Sequence, residues 1–241
     1  MGMWHIGWDV GGWDCERNAN SRDAVAILGS DGKMLGVAWR GNLRTVIGQS
    51  DTASEWVAAI AQLCEINFPT DQKAVFAIDA SLGFPAALLR LCAGVPVHDE
   101  GWRSAANPYL FREAERYLHR QGFRPMSPIK DMIGSQSAKV LHALHRFKFK
   151  NNPGGVWATH DGFQALETYP TACRHAPAVL KILTRSKKQA NSDREDARVC
   201  AAIALLFQQR RKELVGPPEG LDQAEGWIWH PQTTDAAFVP D

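Results

Sequence analysis

The sequence has no CxxC pair, and its five cysteines (Cys15, Cys64, Cys92, Cys173 and Cys200) are odd in number and widely spaced. That argues against a zinc site and a disulfide framework, and it fits a reducing cytosol. No run of about 18 apolar residues is present to span a membrane. The opening MGMWHIGWDVGG lacks the basic segment and long apolar stretch of a secretory signal. Ile6 stands where a myristoylation pattern needs Ser or Thr. Neither sign of charge is in excess, with 27 Lys and Arg against 26 Asp and Glu. A near-neutral chain lacks the broad basic footprint of non-specific nucleic-acid binding, although a local basic groove stays compatible with it. Internal repeats and low-complexity tracts are missing too.

What is there suits one folded unit. The 241 residues fit a single domain, and an apolar fraction of 45% supports a sizeable core. Nine tryptophans are many, and could be shared between core and ligand stacking. Residues 3–10 read as a strand entering the Gly11-Gly12 turn. AVAILGSDGKMLGVAW reads as a hairpin turning at Ser30-Asp31-Gly32. Residues 53–66 have helical spacing, with Asp51 or Thr52 as N-cap. KAVFAID is nearly all apolar, the pattern of a strand covered on both faces. This order predicts a mixed sheet with a crossover helix, whose ligands gather at the carboxyl ends of strands. Residues 95–150 break the alternation and read as a helical insertion or lid within the single domain 1–241. Within it, NPYLFREAERYLHRQG reads as one helix and SQSAKVLHALHRFKFK as another, capped by Ser135. GFQALETYP reads as a short strand, EDARVCAAIALLFQQRRKEL as a long helix, and GWIWHP as a last edge strand.

Four carboxylates interrupt apolar runs: Asp9 in HIGWDVGGW, Asp79 in AVFAIDASLGFP, Glu167 in ALETYP and Asp196 in NSDREDARVCAAIALLF. Burying an unpaired carboxylate costs several kcal/mol, so four such exceptions suggest a compensating cation. An all-oxygen acidic set suits Mg²⁺ or Mn²⁺. Other roles stay open for each: Asp9 can shape a turn, Asp79 can cap one, Glu167 can pair with a buried arginine, and Asp193 and Asp196 can cap and charge a helix start.

The set GWDVGGW, AIDASLGFP, NPYLFREAERYL, ETYP and DREDARVCAAIALL resembles the DUF429 family over roughly residues 5–230. Members of that family are regarded as predicted nucleases with an RNase H-like fold. The resemblance implies an α/β RNase H-like mixed sheet flanked by helices. It also implies metal-dependent hydrolysis of phosphodiester bonds in DNA or RNA, with Asp9, Asp79, Glu167 and Asp196 as the catalytic acids. One departure is the order Asp193-Arg194-Glu195-Asp196, where paired acids are expected. Asp193 and Asp196 share a helix face, which favours Asp196 as ligand with Asp193 in support.

Two ions about 4 Å apart could clamp the attacking and leaving oxygens, with Asp9 as the bridge. Lys187 and Lys188 precede the acidic helix and could steady phosphates. So could Lys139, on a stretch with Arg146, Lys148, Lys150, His142 and His145 that interleaves Phe147 and Phe149. The plainer alternative there is a solvated helix face with two core aromatics, and for FREAER a salt-bridged helix surface in place of substrate contacts. Two other functions compete with the nuclease. DVGG resembles the first phosphate loop of actin- and sugar-kinase-like phosphotransferases, and a catalytically inactive binding module would keep the fold alone.

Overall fold

Strands buried on both faces are written as continuous apolar runs, and DAVAIL and KAVFAID are such runs. The computed structural model describes residues 2–69, 71–98, 106–131 and 133–232. It places both runs inside a seven-stranded mixed sheet, KAVFAID at the centre and DAVAIL next to one edge strand. β1 (Met3–Asp9) pairs antiparallel with β2 (Asp23–Leu28), which pairs antiparallel with β3 (Trp39–Gly41). On its other side β1 runs parallel to β4 (Lys73–Asp79), and β4 runs parallel to β7 (Gln164–Glu167). The short strands β5 (Lys150–Asn152) and β6 (Val156–Ala158) complete the far edge, antiparallel to each other and to β7.

Helices cover both faces. On one side lie α1 (Arg44–Gln49), α2 (Ala53–Leu63) and α5 (Gly134–Arg146), packed on Trp8, Phe76 and Ile78. The centre of that layer is Trp56, stacked between Phe76 and Phe147 with Trp8 edge-on. On the other side lie α4 (Glu113–Arg120), α6 (Pro170–Cys173), α7 (Pro177–Leu183) and α8 (Ser192–Arg210), packed on Val75, Ala77 and Leu166. α3 (Ala86–Cys92) follows the end of β4, and a small ribbon of β8 (Leu214–Val215) and β9 (His230–Pro231) closes the chain's last described stretch. All five cysteines are free. Among the described residues no helix is long and apolar enough to cross a membrane.

The α/β class and mixed sheet agree with the sequence, while several local expectations change. The hairpin turns as expected, with Gly29 N donating to Lys33 O. Its second arm then leaves the sheet and returns only at β3. The 135–150 helix stops at Arg146, because burial of Phe147 and Phe149 and the left-handed Lys148 (φ 59°) turn the chain into β5. Ser135 is not the cap of α5. Ile133 occupies that position, and Ser135 Oγ accepts from Trp13 N at 3.0 Å. The helix expected over 107–122 is shortened to α4. Part of the 95–150 stretch, residues 99–105 and 132, lies outside the described residues. The remainder contributes Ala114 and Leu118 to one layer and Val140, Ala143 and Leu144 to the other.

Thr52 does cap α2. Its hydroxyl oxygen accepts from Glu55 N at 3.1 Å, while Glu55 Oε2 accepts from Asp51 N at 2.9 Å. Thr52→Ala should therefore cost about 1 kcal/mol in urea unfolding. An unchanged midpoint would show that the cap contributes nothing.

Candidate functional site

Parallel pairing brings the first two acids together. Asp9 and Asp79 end neighbouring strands in the same register, so their Cα atoms are about 5 Å apart and their side chains leave the same face. That face is covered by α8. Contact is close because β1 has no side chain at Gly7, two residues before Asp9. A Cβ there would lie 1.8 Å from Ala197 O and 2.3 Å from Ala201 N. The start of α8, with Asp196 next to Ala197, is thereby held over the strand ends.

The electrostatics follow from this crowding. Burial, then Asp79, Asp196 and Asp193, push the Asp9 carboxyl well above its ordinary range. Burial, then Asp196 and Glu167, push Asp79 up to about 8. Asp196 is also raised by burial, with the Arg174 guanidinium pulling against it. Asp9 and Asp79 have no hydrogen bond or ion pair among the described residues. A cavity of about 150 Å³ opens beside them, lined also by Ser81, Glu167, Met126 and Gln136.

The other acids are already partnered. Glu167 is aligned with Ile78, one step before Asp79, and lines the same cavity as Asp9 and Asp79. There it accepts a two-pronged ion pair from the fully buried Arg112, Nη1 to Oε2 at 2.8 Å and Nη2 to Oε1 at 2.5 Å. Leu82 N adds a third bond at 2.8 Å. Burial raises the Glu167 carboxyl and Arg112 draws it back down. Arg112 also pairs with Glu115 and donates to Glu225 O. FREAER is thus neither a substrate contact nor a surface ion-pair ladder at Arg112 and Glu115, but an internal brace for the end of β7.

Asp193 pairs with Arg40 at 2.7 Å and accepts from Arg22 N at 3.1 Å, which ties α8 to β3. Asn191, not an acid, caps the helix. Glu195 faces elsewhere, paired with Arg198. Asp196 acts on both Asp9 and Asp79, whereas Asp193 acts on Asp9 alone, and the partner of Asp196 is Arg174 at 2.8 Å.

Lys139 does not meet a substrate surface. It is fully buried, and its ammonium pairs with Asp23 and donates to Gly12 O at 3.1 Å and Asn42 Oδ1 at 2.8 Å. Asp23 in turn accepts from Trp8 Nε1 at 3.1 Å, Gly11 N at 2.8 Å and Leu43 N at 2.6 Å. The pair fixes the turn that follows Asp9. It also occupies the Gly11 amide, one of the donors a phosphate loop would need. Lys187 and Lys188 are exposed in the loop before α8. Arg146 donates to Gly48 O and Ser50 O at the end of α1, and Phe147 and Phe149 are core, so the stretch is not a stacking face.

Sequence reasoning missed Asp23, Arg40, Arg112 as a buried partner, and Arg174. A signal for Asp23 was present: it stands against an apolar run, DAVAIL, as Asp79 does.

The donor chemistry fits a hard divalent ion, since Asp9, Asp79 and Asp196 offer only carboxylate oxygen and two of them are unpaired. Among the described residues, no three of His, Cys, Asp and Glu are yet gathered tightly enough to enclose an ion. No protein-family model matches the chain, and no curated protein or solved structure shows significant similarity to it.

Proposed function

We propose that this chain is a Mg²⁺- or Mn²⁺-dependent nuclease with an RNase H-like fold, akin to the DUF429 family. The observation that carries the reading is the unpartnered Asp9–Asp79 pair at matched ends of adjacent parallel strands, beneath the acidic start of α8. Two like charges this close are costly unless a cation joins them. The strand order, a three-stranded meander continued by parallel β4 and β7, supports the fold assignment.

Asp9, Asp79 and Asp196 would hold the metal, since Asp9 and Asp79 lie side by side and Asp196 acts on both. A divalent ion there would activate water and neutralise charge developing on a phosphodiester. Glu167 holds the end of β7 and, through Leu82 N, the turn after Asp79. Lys139 and Asp23 fix the turn after Asp9. The cavity wall contributed by Pro125, Met126, Ile133 and Gln136 would act as the lid over the nucleic acid, and Lys187 and Lys188 would meet its backbone.

The test is incubation with Mn²⁺ or Mg²⁺ and a panel of single-stranded, double-stranded and branched DNA and RNA. Cleavage by the wild type that falls to background in folded Asp9→Asn is expected. Wild type that binds metal yet cleaves nothing on the panel would sink the nuclease reading.

A further inference from the structure

Among the described residues, Arg40, Arg112, Arg174 and Arg198 each pair with a carboxylate beside the end of the sheet, and of these Arg174 alone combines a single-oxygen grip with a buried donor that has no partner. Arg112 grips both oxygens of Glu167. Arg198 grips both oxygens of Glu195, Nε to Oε2 at 2.9 Å and Nη2 to Oε1 at 2.7 Å. Arg174, at the end of α6, reaches only Oδ1 of Asp196, through Nη2 at 2.8 Å. Its Nε is buried and has no hydrogen-bond partner among the described residues. A guanidinium fork matches a carboxylate best when two parallel bonds form, and an unsatisfied buried donor is costly. The Arg174–Asp196 pair is therefore half-made.

Its position gives this meaning. Asp196 is the one acid of the Asp9–Asp79–Asp196 group with an ion-pair partner. The pair holds Asp196 to α6, and the three acids do not converge tightly enough to enclose an ion. Both side chains are partly open to water, 36% exposed for Arg174 and 24% for Asp196, so neither is locked.

We infer that Arg174 is the resident counter-ion of Asp196, displaced when a divalent cation binds. The inference rests on reading the acids as a metal site. Arg174 and the ion are alternative partners for one carboxylate, so the arginine lowers metal affinity while it steadies the metal-free protein. It is a positioning residue, acting through Asp196.

The experiment is Mn²⁺ titration of the full chain by calorimetry, without nucleic acid, for wild type, Arg174→Gln and Arg174→Ala. Losing a competing, partly exposed ion pair should tighten binding about fivefold, equivalent to roughly 1 kcal/mol. A residue that merely supports the fold would weaken binding when removed. Alongside, the Arg174 Nε–H signal of the wild type is followed by nuclear magnetic resonance during Mg²⁺ addition. It should move in wild type and stay still in Asp79→Asn. If wild type binds Mn²⁺ and neither variant binds more tightly, the exchange is wrong and the metal reading stands. If no protein binds the ion, both fall. If the variants do not fold, an Nε–H signal unmoved at saturating Mg²⁺ overturns the exchange alone.

Discussion

Gly7→Ala should destabilise the protein by about 3 kcal/mol or more, in the upper range for overpacking a tight contact. The added methyl would meet two backbone atoms of α8 at 1.8 and 2.3 Å, and backbone cannot rotate aside as a side chain can. Glycine inside a strand marks such a close approach. Relief requires α8 to lift from β1 by more than an ångström, and Asp196, adjacent to the contact, would move with it. Mn²⁺ binding should weaken in any protein that still folds. Gly48→Ala is the matched control, because a Cβ there meets nothing within 4 Å and its position is helical. That change should be neutral or slightly stabilising. Urea unfolding of both variants decides the matter: equal stability of Gly7→Ala and wild type would mean that α8 is not seated on the glycine.

Asp79→Asn should have the opposite effect on the metal-free protein. The Asp79 carboxyl is pushed to about 8 in the fold from 3.8 in the unfolded chain, first by burial and then by Asp196 and Glu167. Below pH 4 both states hold the proton and nothing is lost. Between pH 4 and 8 the unfolded chain ionises freely while the folded chain must keep its proton, so stability declines as pH rises. Above about pH 8 both are ionised and the decline ends. The accumulated loss is of the order of a few kcal/mol. An amide in place of the carboxyl removes this contribution, making the variant more stable than wild type at pH 8 and nearly equal at pH 4. Divalent ions should restore wild type most at alkaline pH. The variant should lose at least the ~10–100-fold in metal affinity that loss of a supporting group already costs. Thermal melting from pH 4 to 9, with and without Mg²⁺, gives both answers. A wild-type melting temperature that climbs through pH 5–8 without metal would contradict the burial of these acids.

The parts of the fold that were legible in the sequence are those whose pattern is long. KAVFAID, the 53–63 helix and the 19-residue α8 each repeat a period often enough to declare themselves. β5 is Lys-Asn-Asn, with no apolar residue, and β6 has only three residues after the Pro153-Gly154-Gly155 turn, so neither carries a pattern long enough to read. Asp9, Asp79 and Asp196 were visible because charge against an apolar run is rare. Their partners were not. Arg112 meets Glu167 across 55 residues, and Lys139 meets Asp23 across 116. An arginine or lysine on a helix looks the same in sequence whether it faces water or a buried acid. Only tertiary placement separates Lys139, sealed behind Asp9, from the exposed Lys187 and Lys188.

The seating of α8 on β1 has a consequence for biosynthesis. Ala197 and Ala201 close over a strand that leaves the ribosome about 190 residues earlier. At 5–20 residues per second, that strand waits roughly 10–40 s for its cover. During that interval the face of β1 and β2 that carries His5, Gly7, Ala24 and Ala26 has no cover from α8, although α1 and α2 can already pack on the other face, and Asp9 and Asp79 have no third acid. These strands are thus the part of a nascent chain that a holdase chaperone would be expected to shield, and the site comes together only after α8 has been made.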